Sequence, residues 1–246
     1  MNIKLTVAYD GGAYLGWQKT SMGPSIEEVL QQTLEQILQH ETPLQAASRT
    51  DAGVHAIGQI VNFYTSKQLC LERLKISLNS LLPKDIAVMQ AEIAAENFHP
   101  TLDCIGKEYH YALCYGIAQL PLHRLYSWHY PHQLDVAAMR AAAHHFIGEH
   151  NFEAFCNFKK NTTYAHYVRT VHKIDIEQEA EERLCIKIAG NNFLYKMVRN
   201  IVGTLVYVGA DKIAVDAIPE IIASKKRPQA GVTAPAHGLN LFRVNY

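Results

Sequence analysis

The sequence predicts an α+β protein made of two similar halves, each with an antiparallel sheet. Three observations support this class. The first half carries strand and helix patterns in the order β-α-β-β-α-β, the split βαβ arrangement. The second half looks like a decorated copy of that series, and the two copies meet near residue 105. At 246 residues, with 48% apolar and 19% charged side chains, the chain can form two domains of ordinary size.

The elements of the first half follow from the spacing of apolar residues. Residues 3–9 alternate apolar and polar side chains, as a half-buried strand does. Residues 25–40 show helical spacing, and Ser25 with Glu28 forms a capping box at the helix start. The other expected elements are strands at 44–48, 58–64 and 85–94, and a helix at 70–82 that Pro83 stops.

The second half also shows strand patterns with alternating apolar residues and helix patterns with helical spacing. Residues 108–116 form a strand pattern that puts Tyr109 and Tyr111 on one face. Asp135 is the expected N-cap of a helix that Gly148 ends. The other expected elements are strands at 167–176 and 184–190 joined by an acidic turn at 177–183, helices at 192–209 and 214–223, and a closing strand at 239–244. We therefore place the domains at 1–105 and 106–246.

Composition limits the classes of function. The formal net charge is zero, yet residues 1–106 hold 7 Lys/Arg against 11 Asp/Glu, whereas residues 107–246 hold 16 against 12. This asymmetry is either chance variation or a basic surface that neutralises phosphates. Five Cys without a CxxC pair indicate a reducing compartment, and 13 His without ligand spacing predict no metal. No signal peptide or membrane span is expected, so the predicted location is the cytoplasm.

The stretch "ASRTDAGVHAIGQ", residues 46–58, is the strongest candidate for chemistry. Asp51 lies two residues from Arg49, and a guanidinium close to a carboxylate lowers the carboxylate pKa and keeps it ionised. Ala52 and Gly53 favour a tight turn that leaves the carboxylate uncovered. The pattern therefore indicates an activated nucleophile, a surface ion pair or an Asx turn.

A second carboxylate is not found near this turn. The closest acidic residues, Glu41 and Glu72, belong to other predicted elements. A retaining glycosidase needs two carboxyl groups, because its leaving alkoxide must be protonated. A lone Asp suits a leaving group that tolerates negative charge, such as a uracil ring that leaves through N1.

Seven blocks of the sequence resemble the bacterial tRNA pseudouridine synthases of the TruA type. They occur in the family's order and span nearly the whole chain. They are "YDGGAYLGWQ" (9–18), "SRTDAGVHA" (48–56), "FHPTLDCIGKEYHYAL" (98–113), "HNFEAFC" (150–156), "VRTVHKIDI" (168–176), "GNNFLYKMVRNIVG" (190–203) and "APAHGLNL" (234–241).

The resemblance implies a role for four residues. Asp51 matches the catalytic aspartate, and Arg199 matches the basic residue that pairs with that carboxylate. Tyr109 matches the tyrosine that packs against the target base, and Arg49 matches the arginine linked to base flipping. The partner that tunes Asp51 is then Arg199, with Arg49 facing the RNA.

The resemblance also implies an architecture and a substrate. The family fold has two ferredoxin-like halves whose antiparallel sheets join into one long sheet, with an RNA-binding cleft between the halves. The basic second half would complete the active site that the first half begins. The implied substrate is the tRNA anticodon stem-loop at positions 38–40, bound by a homodimer without cofactor or metal. The target uridine must leave its stack to react.

The sequence departs from the family pattern at three positions. Ser48 stands where Gly is usual, and Pro100 and Thr101 stand where Ala-Arg is common. The last change removes one cation that could contact phosphate, whereas Lys107 keeps a cation near Tyr109. The basic pairs at 159–160 and in "KKRP" (225–228) are either solvated or contact the tRNA backbone.

Two other classes of function remain open at this point. A non-catalytic RNA-binding module is one, because β-α-β-β-α-β units also build RNA-recognition domains. Such a module predicts strings of aromatic residues on its central strands, which "GQIVNFY" matches poorly, and it has no need for Asp51. The other is a different hydrolase or lyase, which would require a second carboxylate, a metal set or a Cys-His pair near the turn.

Overall fold

The computed structural model describes residues 1–158 and 164–246, which divide into two compact units. The first contains Met1–Ile105 with Asn240–Tyr246, and the second contains Gly106–Leu239. The sequence predicts that residues 240–246 belong to the second half. They belong to the first because strand β10 (Leu239–Asn245) pairs in parallel with strand β3 (His55–Tyr64). Lys159 and Lys160 lie outside the described residues.

The first unit has the predicted order of elements. Strand β1 (Asn2–Tyr9) lies between β3 and β4 (Ile86–Ala94) and is antiparallel to both, while the short β2 (Gln45–Ala46) pairs with β3. The alternating pattern of β1 buries every second side chain, and the helical stripe of α1 is buried in the same unit. Besides β3, its elements are β1 (Asn2–Tyr9), α1 (Ile26–Leu38), β2 (Gln45–Ala46), α2 (Leu71–Leu81) and β4 (Ile86–Ala94).

The second unit has a sheet in the order β5 (Gly106–Tyr115), β9 (Arg183–Gly190), β8 (Val168–Ala180) and β7 (Gly148–Asn151), with antiparallel neighbours throughout. Strand β6 (Trp128–Tyr130) is parallel to β5. Helix α4 has 11 buried residues among its 13 and is the most enclosed helix of the described chain. The elements are β5 (Gly106–Tyr115), β6 (Trp128–Tyr130), α3 (Val136–His144), β7 (Gly148–Asn151), β8 (Val168–Ala180), β9 (Arg183–Gly190), α4 (Met197–Gly209) and α5 (Ile218–Ser224).

Both units are therefore α+β with mainly antiparallel sheets, which confirms the predicted fold class. The joining of the two sheets and the RNA cleft stay predictions. Within the described ranges, no helix combines the length and the apolarity that crossing a bilayer takes.

Two predicted helices are shorter than expected. Helix α3 ends at His144, because Gly148 adopts φ +112° and opens strand β7 instead. Helix α4 begins only at Met197, because Lys196 has φ +61° and stands outside the helix. The side chain of Asn192 accepts the backbone N–H of Phe193 at 2.9 Å, which competes with helix formation before that point. The acidic turn is also shorter, because β8 continues to residue 180.

Candidate active site

The loop that carries Asp51 connects β2 to β3 in the first unit. Three neighbouring side chains in it differ in exposure: Arg49 is exposed, Thr50 is 8% exposed and Asp51 is half-buried. The two charged candidates thus flank one buried anchor. Sequence reasoning placed the candidates here but gave Thr50 no function.

Thr50 is held through both its side chain and its backbone. Its hydroxyl forms a buried 2.7 Å hydrogen bond with the phenol of Tyr9, and its carbonyl accepts the backbone N–H of Trp17 at 3.0 Å. Two residues before Thr50, Ser48 is held by the side chain of Gln59. Gln59 donates from Nε2 to the carbonyl of Ser48 at 2.6 Å and accepts the N–H of Ser48 on Oε1 at 3.2 Å. These bonds fix the backbone on the N-terminal side of Asp51.

The N-terminal block at residues 9–18 lies directly against this loop. Gly16 has φ +97°, and a Cβ atom there would lie 2.6 Å from the carbonyl oxygen of Thr50. A Cβ on Gly11 would lie 2.0 Å from the carbonyl oxygen of Val54. The two blocks, well separated in sequence, are therefore parts of one structure in which glycine permits backbone contact.

The turn after Asp51 has the chemistry that its sequence predicts. Val54 donates its N–H to the carbonyl of Asp51 at 3.1 Å, which closes a four-residue turn. Gly53 adopts φ +77° in that turn, a conformation that glycine takes without strain. The Asp51 carboxylate therefore stands at the start of a tight turn that is fixed from both sides.

His55 is a structural residue of the same site. It begins β3, is 7% exposed, and accepts the backbone N–H of Gly11 on Nδ1 at 3.1 Å. The carboxylate of Asp10 lies 3.0 Å from the same nitrogen. Asp10 also accepts the backbone N–H of Gly12 at 2.9 Å. His55 therefore joins the start of β3 to the N-terminal block.

Tyr109 lies in the second unit, on strand β5. It is 7% exposed, pairs with Ile188 of β9, and meets the ring of Phe193 edge-on at 5.4 Å between centroids. Lys107, at the start of the same strand, is 6% exposed and donates to Oδ1 of Asn192 at 3.3 Å. The cation expected near Tyr109 is therefore present and largely enclosed by protein.

Arg199 lies in the first turn of α4 and is half-buried. Its Nε donates to the carbonyl of Ala234 at 2.7 Å, and the N–H of Ala234 donates back to its carbonyl at 3.1 Å. Burial raises the pKa of the Tyr111 phenol, and the positive charge of Arg199 opposes that rise. The guanidinium is therefore close enough to Tyr111 to act on it. Arg199 therefore sits in a partly enclosed environment, where a guanidinium is electrostatically effective.

The basic stretch "KKRP" is not a uniform cationic surface. Lys225 and Lys226 are exposed, but Arg227 is half-buried, and burial lowers its pKa. Its guanidinium donates to protein oxygens, among them Oδ1 of Asn200 at 2.8 Å. Most donors of this Arg are therefore used inside the unit, so it is not a solvated side chain, whereas a tRNA-backbone contact of the stretch stays a prediction.

Comparison with known proteins gives one consistent result. A sequence profile described as tRNA pseudouridine synthase matches residues 5–102 and 142–246. The chain is 58% identical to tRNA pseudouridine synthase A 2 of Protochlamydia amoebophila, over all of this chain and 94% of that protein. It is 43% identical to tRNA pseudouridine synthase A 1 of the same organism, over 99% and 95% of the two chains. It is 41% identical to tRNA pseudouridine synthase A of a Thermoanaerobacter species, over 100% and 99%.

Proposed function

The chain belongs to the tRNA pseudouridine synthase family, and we propose that it acts on uridines of the anticodon stem-loop, at positions 38–40, with Asp51 as nucleophile. As a member of this family it is an isomerase that converts uridine in tRNA to pseudouridine. The observation that carries the Asp51 assignment is the fixed loop, in which a half-buried carboxylate follows the buried anchor Thr50. A non-catalytic RNA-binding module would not require such a construction.

The chemistry requires one ionised carboxylate and a displaced base. The target uridine leaves its stack, which costs a few kcal/mol and costs least at a weak stem end. The Asp51 carboxylate then attacks the uridine and forms a covalent bond to it, the N1–C1′ bond breaks, and the uracil turns so that C5 bonds to C1′. The bond to Asp51 breaks as the product forms, which returns the free carboxylate. The C5 proton leaves and N1 takes up a proton, so the product is an isomer of the substrate. The uracil anion is stabilised by its two carbonyl groups, so no dedicated acid is needed for its departure.

The other three candidates take the roles that the family pattern gives them. Arg199 takes the role of the basic partner of the catalytic carboxylate. Tyr109 packs its ring against the displaced base, and the edge-on contact with Phe193 supports the orientation of that ring. Arg49, which is exposed, enters the space that the displaced uridine leaves.

The two halves contribute different parts of the proposed site. Residues 1–105 carry the Asp51 loop, and the more basic residues 106–246 complete the site and grip phosphates. A homodimer would present two such surfaces to one tRNA. The five cysteines are free thiols, which agrees with the proposed location in the reducing cytoplasm. The proposed reaction uses no cofactor or metal.

Site mapping tests the proposed substrate position. Purified protein is incubated with an unmodified tRNA transcript that carries uridines at 38–40 and elsewhere, and pseudouridines are then mapped by carbodiimide-based sequencing. We expect new pseudouridine only at positions 38–40, and a transcript with those uridines replaced by cytidine serves as control. Modification confined to another arm of the tRNA would contradict the anticodon assignment while leaving the family membership intact.

A further inference from the structure

A polar cluster in the second unit surrounds the guanidinium of Arg227. This side chain is half-buried, and its acceptors come from three separate parts of the chain. Its donors reach four oxygen atoms of uncharged groups, which are Oδ1 of Asn157 (3.3 Å), the carbonyl of Gly231 (2.8 Å), Oδ1 of Asn200 (2.8 Å) and Oγ1 of Thr233 (3.0 Å). We call these four residues and Arg227 the Arg227 cluster.

The Arg227 cluster includes the chain neighbours of Arg199 and of Ala234, the residue to which Arg199 is hydrogen-bonded. Arg199 and Ala234 exchange two hydrogen bonds, of 2.7 and 3.1 Å. Asn200 follows Arg199 in the chain, and Thr233 precedes Ala234. Thr233 also donates from its hydroxyl to Oδ1 of Asn200 at 2.7 Å. Arg227 therefore joins the start of α4 to the segment that accepts the Arg199 Nε–H.

The backbone of the segment at 231–234 is in direct contact with α4. A Cβ atom on Gly203 of this helix would lie 1.7 Å from the carbonyl oxygen of Val232. The N–H of Gly231 donates to Oγ1 of Thr204 at 2.9 Å, and Ala234 is fully buried. Backbone in direct contact with a helix transmits a displacement of one partner to the other, because packed interiors are close to incompressible.

We propose that Arg227 is a positioning residue of the synthase reaction, which fixes the Arg199 guanidinium through the segment at 231–234. The proposal rests on the role assigned to Arg199 above. A planar guanidinium suits this task, because its fixed fork of five donors satisfies several acceptors in different directions. A lysine ammonium carries the same charge but cannot make this set of bonds. The shape of the side chain matters here, and its charge does not.

Kinetics of Arg227→Lys test the proposal, because this variant keeps the charge and loses the fork. We expect kcat to fall about thirtyfold, with the Kd for tRNA and its salt dependence within about twofold of wild type. Thr233→Val should lower kcat in the same direction, and Thr233→Ser, which keeps the hydroxyl, should restore it. A purely structural role would move the melting temperature without this split between Val and Ser.

The double variant with Arg199→Gln separates the possible failures. We expect Arg199→Gln alone to lower kcat, and the addition of Arg227→Lys to lower it no further, because both act through one guanidinium. If Arg199→Gln lowers kcat and Arg227→Lys leaves it unchanged, the positioning role is overturned and the proposed function stands. If Arg199→Gln leaves kcat unchanged, the proposed role of Arg199 fails and the inference fails with it. A weakened tRNA Kd with unchanged kcat in Arg227→Lys would instead show an RNA contact.

Discussion

The two units hold their candidate residues in different ways. In the first unit, the Asp51 loop packs against the backbone of residues 9–18, since glycines at 11 and 16 allow main chain to touch main chain. In the second unit, Arg199 donates to the carbonyl of Ala234, and a side-chain cluster around Arg227 bonds the residues next to both of them. A carboxylate on a short turn has few atoms to immobilise, so contact with rigid backbone suffices. A long Arg side chain has several free torsions, so it needs partners along its length.

The backbone contact predicts the largest effect on stability. Gly16→Ala places a Cβ on a residue with φ +97° and only 2.6 Å from the carbonyl of Thr50. We expect a loss of about 3 kcal/mol and a melting temperature lower by roughly 6–12 °C, measured by thermal unfolding. Gly12→Ala is the matched control, because that Cβ would meet mainly the side chain of Asp10, at 3.1 Å, and should change little. Equal melting temperatures for the two variants would contradict the backbone account.

The buried phenol predicts a smaller loss that affects activity as well. Tyr9→Phe removes the 2.7 Å hydrogen bond to Thr50 and leaves a buried hydroxyl without this partner. We expect a loss of about 1.5 kcal/mol and a fall in kcat of about tenfold, because the residue before Asp51 loses its anchor. Tyr246→Phe removes a 2.9 Å bond to the carbonyl of Pro100 in the same unit and serves as control. If both variants keep full kcat, Thr50 is not an anchor for catalysis.

The cysteines of the two units differ in exposure. Their labelling tests the smallest of the expected effects. Cys70 is exposed and Cys104 is half-buried in the first unit, whereas all three thiols of the second unit are buried. Burial raises the pKa of Cys185 to about 11, so at pH 8 only about one molecule in a thousand carries the reactive thiolate. We expect a disulfide reagent at pH 8 to label two thiols quickly in native protein and five in urea. Fast labelling of Cys185 in native protein would show that the second unit opens.

The parts of the molecule that the sequence predicted are the parts encoded locally. The order of elements in the first unit and the turn at Asp51 depend on neighbours in the chain, through apolar period and turn residues. The start of α4 was missed, because a polar side chain at 192 competes for backbone groups in a stretch with helical spacing. The placement of 240–246 was missed, because parallel pairing with β3 joins residues nearly two hundred positions apart.

The same reason explains why the internal bonds of Arg227 are not visible in the sequence. Its acceptors lie at 157, 200, 231 and 233, and no local pattern shows that these three parts of the chain converge on one guanidinium. A basic stretch therefore resembled a surface for phosphates. One sequence signal was available, since "KKRP" lies a few residues before the family block at 234–241. Proximity to a block that resembles the family pattern is a reason to test an internal role before a surface role.

Single-turnover kinetics of Asp51→Asn test the central claim most directly. Asparagine keeps the size and polarity of the side chain and removes the nucleophilic charge. With enzyme in excess over tRNA, we predict a rate of pseudouridine formation at least about a thousandfold below wild type, equivalent to about 4 kcal/mol of barrier, with tRNA Kd within about threefold. Asp216→Asn, the same change at an exposed position of the second unit, should keep the wild-type rate. A rate for Asp51→Asn within tenfold of wild type would contradict the account.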